Sequence, residues 1–129
     1  MVGIVLVSHS PQIADGAAEL VRNMAGEVAI VAVGGDADGA LGTDLDGVRR
    51  AIEGLAAGEV LVFMDIGSAV LSAETVLDML EPETRERVRL VDAPFVEEAF
   101  SAGVSASAGA DADECVEAAQ EARTEPKMH

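Results

Sequence analysis

The sequence predicts an α/β protein: a doubly wound, mostly parallel sheet of four or five strands with helices on both faces. Two observations carry that prediction. Short apolar runs alternate along the chain with stretches whose apolar residues recur at helical spacing. The connections between them are short, which favours right-handed βαβ units and a sheet covered on both sides. At 129 residues and 50% hydrophobic content the chain fits one domain with a real core.

Val2 to Val7 reads as the first strand, ending in Ser8-His9-Ser10-Pro11. Ile13, Ala17, Leu20, Val21 and Met24 then mark a helix, and Val28 to Val33 a second strand. Gly34 to Gly42 is a loop, and Leu45, Val48, Ile52 and Leu55 trace a second helix with Thr43-Asp44-Leu45-Asp46 available as a capping box. Val60 to Met64 is the third strand. Ala69, Ala73, Val76 and Leu80 form the buried stripe of a third helix that Pro82 closes, before a fourth strand near Arg87 to Val91. Phe95 to Ala108 and Asp111 to Arg123 read as two final helices, with Gly103 and Gly109 blurring their ends. One domain over residues 1–123 and a flexible tail over 124–129 follow, with no internal repeat and no linker.

Charge narrows the function. With 24 acidic and 8 basic residues the net charge is -16, and Lys127 is the one lysine. Nucleic acid is a poor partner for such a surface, because binding it needs a basic face. The chain is too apolar for disorder. Its acidity suits a high-salt cytoplasm, an expectation that equal stability in dilute buffer would overturn. No apolar stretch approaches the roughly 18 residues of a membrane span, and no basic region precedes the first apolar run, so a soluble, cytoplasmic protein is expected. Cys115 stands alone, which excludes a cysteine zinc site and an intrachain disulfide; it reads as a buried or half-buried thiol.

His9 is the internal histidine, and it sits where a buried strand ends. In open α/β sheets that edge binds ligands. The third strand ends in Asp65-Ile66-Gly67-Ser68. If strands one and three are neighbours, Asp65 and His9 border the crevice where strand order reverses. A carboxylate accepting from Nδ1–H would then fix the tautomer and leave Nε2 as the nucleophile. Gly67 permits a close turn, and Ser68 opens a helix whose first N–H groups can receive a phosphate. Ser10 is placed to do the same at the first helix, with Ser8 and Thr43 as secondary candidates. Asp36-Ala37-Asp38-Gly39 resembles a piece of a calcium loop but lacks the later ligands, so it reads as an acidic loop. Arg85, Arg87 and Arg89 read as decoration of the fourth strand, and His129 as a terminal residue.

Val7-Ser8-His9-Ser10, Gly42-Thr43-Asp44, and Met64-Asp65-Ile66-Gly67-Ser68-Ala69 with Leu71-Ser72-Ala73-Glu74 resemble the DhaM family. These are the phosphotransferase subunits of dihydroxyacetone kinase, similar to the mannose-type enzyme IIA domains of the phosphoenolpyruvate-dependent phosphotransferase system. The resemblance covers about residues 1 to 100. It implies that His9 takes a phosphoryl group from the phosphohistidine carrier HPr and passes it to ADP on the nucleotide-binding subunit DhaL. The regenerated ATP then phosphorylates dihydroxyacetone on DhaK. It further implies that Asp65 orients His9, that the fold dimerises, and that no cofactor or metal is needed beyond the phosphoryl group on His9. Fused carrier domains found in some relatives are not expected at this length.

Three other readings compete. A mannose-type sugar IIA would use the same histidine, but those domains show Gly-Thr-His-Gly and Gly-Gly-Ser-Pro where this chain has Ser-His-Ser and Ile-Gly-Ser-Ala. A receiver-like or ligand-binding module needs an acidic pair after strand one and a late lysine. A metal chelatase needs a second metal-facing histidine. Arg49 and Arg50 are the basic residues expected to ease docking of a phosphorylated partner.

Overall fold

The computed structural model describes residues 1–128; the expectation for His129 lies outside them. Four parallel strands form one sheet in the order β2-β1-β3-β4, with β1 at Val2–Ser8, β2 at Ala29–Gly34, β3 at Glu59–Met64 and β4 at Val88–Val91. The fold class is the one the sequence predicts. β1 is buried along its whole length, which explains why it reads as an unbroken apolar run. The connection from β1 to β2 moves one way and the connection to β3 returns across β1. The order therefore reverses between β1 and β3.

That reversal places helices on opposite faces. α1 (Pro11–Met24), α5 (Phe95–Ser107) and α6 (Ala112–Glu121) enclose a core of Ile4, Leu6, Leu61 and Phe63. α2 (Leu45–Gly54) and α3 (Gly67–Met79) cover Val5, Val7, Val60 and Val62. Alternate residues of β1 and β3 thus feed the two cores, as a pleated strand requires. Full burial of each large aliphatic or aromatic side chain contributes about 1.5–3 kcal/mol.

Ser10 caps α1, its side chain accepting from Ile13 N–H, and Pro11 takes the first position, where a missing N–H costs nothing. The expected capping box at Thr43 is replaced by Asp44, which accepts from Gly47 N–H at 3.1 Å. The fourth strand is preceded by a short helix, α4 (Pro82–Glu86), that the sequence reading missed. Gly103 lies inside α5 because a Cβ there would sit 2.4 Å from Val21 Cγ1. Gly109, at φ +93°, turns the chain between α5 and α6.

Beyond α6, Thr124 and Glu125 N–H groups donate back to Glu121 O, and Lys127 Nζ lies 3.0 Å from Glu97 Oε2. The described part of the expected tail is therefore tied to α6 and α5. Cys115 is buried, and burial pushes its thiol pKa up. Of the three alternating arginines only Arg89 lies on β4, paired with Asp113 at 2.7 Å. Arg87 donates to Leu55 O and Ala57 O, and Arg85 pairs with Asp78 from α4. Among the described residues no helix is long and apolar enough to cross a membrane.

Candidate functional site

The register between β1 and β3 pairs Val7 with Met64, so Ser8 and Asp65 are the next residues on adjacent strands. Ser8 is 1% exposed. Its hydroxyl donates to Asp65 Oδ2 at 2.6 Å, a short charge-assisted bond, and accepts from Ser10 N–H at 3.0 Å. Asp65 also takes the His9 backbone N–H, with its two oxygens 3.3 and 3.2 Å away, and the Ile66 N–H at 2.7 Å. The turn after β1 is thereby fastened to the end of β3.

The sequence reading brought Asp65 and His9 together, and the structure does so as well, but the contact differs. Asp65 grips the His9 backbone, whereas Ser68 Oγ stands 3.1 Å from His9 Nδ1. The reason lies in reach. Ser8 and two backbone N–H groups draw the carboxylate down against the strand ends, and the imidazole turns toward the start of α3. The His9 carbonyl is held as well, accepting from Gly42 N–H at 2.9 Å. A third element, the loop between β2 and α2, therefore joins β3 and α3 in fixing this residue.

That loop is built around Asp36. Its Oδ1 accepts from Asp38 N–H and Ala40 N–H, both at 2.9 Å, and its own N–H donates to Ala40 O. Gly35 at φ +76° and Gly39 at φ +85° supply the left-handed turns it needs. The carboxylate is thus used inside the loop, in keeping with an acidic loop rather than a calcium site. Among the described residues no group of three or more His, Cys, Asp or Glu side chains is placed to hold a metal ion.

The start of α3 differs from the starts of α1 and α2 and, like that of α5, has no side-chain cap. Ser10 and Asp44 cap α1 and α2, but Ile66 offers α3 no side-chain cap. Gly67 and Ser68 are exposed, and the space above Gly67 is open. Their N–H groups precede the first intrahelical donors, Ala69 and Val70, which reach Ile66 O. An uncapped helix start beside a ring nitrogen suits an incoming phosphoryl group.

The secondary candidates have their hydroxyls engaged within the protein. Ser8 is consumed by Asp65 and Ser10, and Thr43 Oγ1 accepts from Ser72 Oγ at 2.8 Å. Ser72 is a residue the sequence reading used only as part of a motif. Arg49 and Arg50 are paired with Glu53 and Asp44, at 3.3 and 3.9 Å, and no hydrogen bond or ion pair among the described residues brings a cation to His9. A cavity of about 390 Å³ opens at the opposite end of the sheet, lined by Glu27, Glu59 and Asp111, remote from this chemistry.

Comparison with known proteins shows the family. The family model described as the PTS system fructose IIA component, EIIA-man, matches residues 3–116. The phosphoryl donor subunit DhaM of PEP-dependent dihydroxyacetone kinase from Escherichia coli (strain K12) is 47% identical over 121 residues, covering 90% of this chain and 26% of that protein. The chain thus spans about a quarter of that relative's length. The DhaM subunit of kinase 2 from Listeria innocua is 45% identical over 106 residues, covering 81% of this chain and 85% of that protein. Among solved structures, a crystal structure of a protein of unknown function superposes with a TM-score of 0.88 at 39% identity, covering 99% of this chain and 98% of that one. EIIA from Streptococcus agalactiae shares the fold, with a TM-score of 0.68 at 18% identity over 95% of this chain and 92% of that one. The matched span carries His9, Asp65 and Ser68, and the chain belongs to the EIIA-man family, with DhaM subunits among its relatives.

Proposed function

We propose that this chain is a phosphoryl relay of the phosphoenolpyruvate-dependent dihydroxyacetone kinase, with His9 Nε2 as the atom that carries the group. The observation that supports it best is the contact between Ser68 Oγ and His9 Nδ1 beside the uncapped start of α3. If Nδ1–H donates to Ser68 Oγ, the lone pair resides on Nε2. In the first step an N–P bond forms at Nε2 as the N–P bond on the histidine of the carrier HPr breaks. In the second, the phosphoryl group leaves Nε2 for the terminal oxygen of ADP held on DhaL, and the ATP so formed serves DhaK and its dihydroxyacetone. Such loose transition states ask chiefly for positioning and for donors to the equatorial oxygens. Gly67 and Ser68 N–H groups are the donors proposed here, with the Ser10 hydroxyl and the Gln12 N–H at the start of α1 as further contributors.

The same proposal takes the chain to work in the cytoplasm as a homodimer, with no bound cofactor. Incubation with labelled phosphoenolpyruvate, enzyme I and HPr tests it. The label is expected to be acid-labile, base-stable and lost in His9→Ala. An acid-stable label, or one that survives His9→Ala, would refute the relay. Dihydroxyacetone-dependent turnover with DhaL and DhaK separates this role from sugar transport, which predicts none.

A further inference from the structure

His9 is gripped by two elements that are not neighbours in sequence. Gly42, in the loop before α2, holds its carbonyl, and Ser68, at the start of α3, faces its ring. Any drift between that loop and that helix turns the imidazole relative to its backbone. One side-chain bond spans them: Ser72 Oγ donates to Thr43 Oγ1 at 2.8 Å. Thr43 follows Gly42 directly. Ser72 lies one turn beyond Ser68, on the same face of α3. Its side chain is 8% exposed, in a layer otherwise filled by Ala69, Ala73 and Val76.

A buried hydroxyl among apolar neighbours needs a partner. Here the partner is the residue beside the one that holds His9. The two grips and the tie form a closed circuit, from the His9 ring to Ser68, along one turn of α3 to Ser72, across to Thr43, and through Gly42 back to the His9 carbonyl.

We infer that Ser72 and Thr43 are a pair of positioning residues, a hydroxyl tie that sets the angle of the His9 imidazole without touching the phosphoryl group. The inference rests on the reading of His9 as the relay atom. It gives Thr43 a role different from phosphate binding. Replacing either hydroxyl frees the loop from α3, so the ring samples orientations in which Nε2 is misaligned for in-line transfer. Misalignment of this kind lowers the rate more than it weakens docking.

The test is a double-mutant cycle on phosphoryl transfer from phosphorylated HPr, with Thr43→Val, Ser72→Ala and the double variant, and Thr43→Ser as the conservative control. Each single variant is expected to lower kcat about tenfold with KM for the carrier unchanged. The double variant should be no slower than either, and Thr43→Ser should keep the wild-type rate. Nitrogen-15 spectra of the His9 ring provide a readout independent of transfer: both single variants should shift Nδ1 in the same sense. If Thr43→Val is slow while Ser72→Ala is normal, or if the losses multiply in the double variant, Thr43 acts on the phosphoryl group itself and the tie is overturned. An unchanged Nδ1 signal in Ser72→Ala overturns it too. Failure of the wild type to accept phosphate would instead refute the relay, leaving the ring spectra to decide the tie.

Discussion

Asp65 holds His9 by its backbone: the carboxylate oxygens lie 3.2 and 3.3 Å from the His9 nitrogen, while Ser8 Oγ binds the same carboxylate at 2.6 Å. One side chain thus sets where the histidine leaves the strand, and another, Ser68, sets how the ring turns.

Replacing Asp65 should therefore damage the fold as well as the chemistry. Asp65→Ala strands the Ser8 hydroxyl and the His9 N–H, and each unsatisfied buried group costs about 1–3 kcal/mol. Urea unfolding should show a loss of about 2–4 kcal/mol alongside slower phosphorylation. A variant that transfers slowly at full stability would mean that Asp65 acts on the ring after all.

Ser68→Ala makes the complementary case. Ser68 is exposed, so its removal should leave the melting temperature within a degree or so. The ring loses its partner at Nδ1, and phosphorylation should slow by about tenfold, the equivalent of one hydrogen bond of about 1.4 kcal/mol. Stopped transfer of label from HPr measures it; an unchanged rate would show that Ser68 does not set the ring.

Gly34 offers a structural probe of the same edge. A Cβ there would lie 2.5 Å from Ser10 O and 2.6 Å from Pro11 Cα, against backbone that has nowhere to move. Gly34→Ala should cost about 1–3 kcal/mol of stability and shift the start of α1. Thermal melts together with amide shifts of Ser10 and Gln12 would report both, and a neutral substitution would mean that the β2–α1 contact is looser than described.

Glu98 makes stability depend on pH. It is 0% exposed, and neither carboxyl oxygen has a hydrogen-bond partner among the described residues. Burial pushes its pKa up from 4.5 to about 9, with repulsion from Asp92 and Glu97 adding to it and the Ala93 backbone offsetting only part. The folded chain keeps a proton that the unfolded chain releases. Stability is then full below the unfolded value of 4.5 and falls as pH climbs toward about 9, by up to about 1.4 kcal/mol per unit. Glu98→Gln should flatten that decline, so the variant gains on the wild type from pH 5 to pH 8.5 in chemical unfolding. Parallel profiles would contradict the assignment.

What the sequence discloses follows from what is local. The apolar runs through Val7 and Met64 announce strand ends, and on the condition that β1 and β3 are neighbours the sequence brings His9 and Asp65 to one edge; the structure supplies that adjacency. Which atoms meet is not legible there, because the choice between the His9 ring and its backbone turns on how Ser8 draws Asp65 downward. Ser72 entered the sequence reading only as part of a motif, and no periodicity distinguishes a hydroxyl with a distant partner from one without. Glu98, beside Glu97 in the first turn of α5, carries no local signal that sets a buried carboxyl apart from surface charge. Gly103 blurred where α5 ends, yet it lies inside the helix, where an added Cβ would meet Val21 of α1. Helix α4 is too short to carry any period at all.

The bare start of α3 bears on how partners are chosen. In the proposed relay, backbone N–H groups would receive any phosphoryl group alike, whatever protein brings it, leaving the centre of the site no means of telling a donor from an acceptor. On that proposal recognition would fall to the rim, where Ile13, Leu41 and Ile66 are exposed. A chain organised in this way can change its correspondents through evolution by recolouring its rim while the relay at the centre stays as it is.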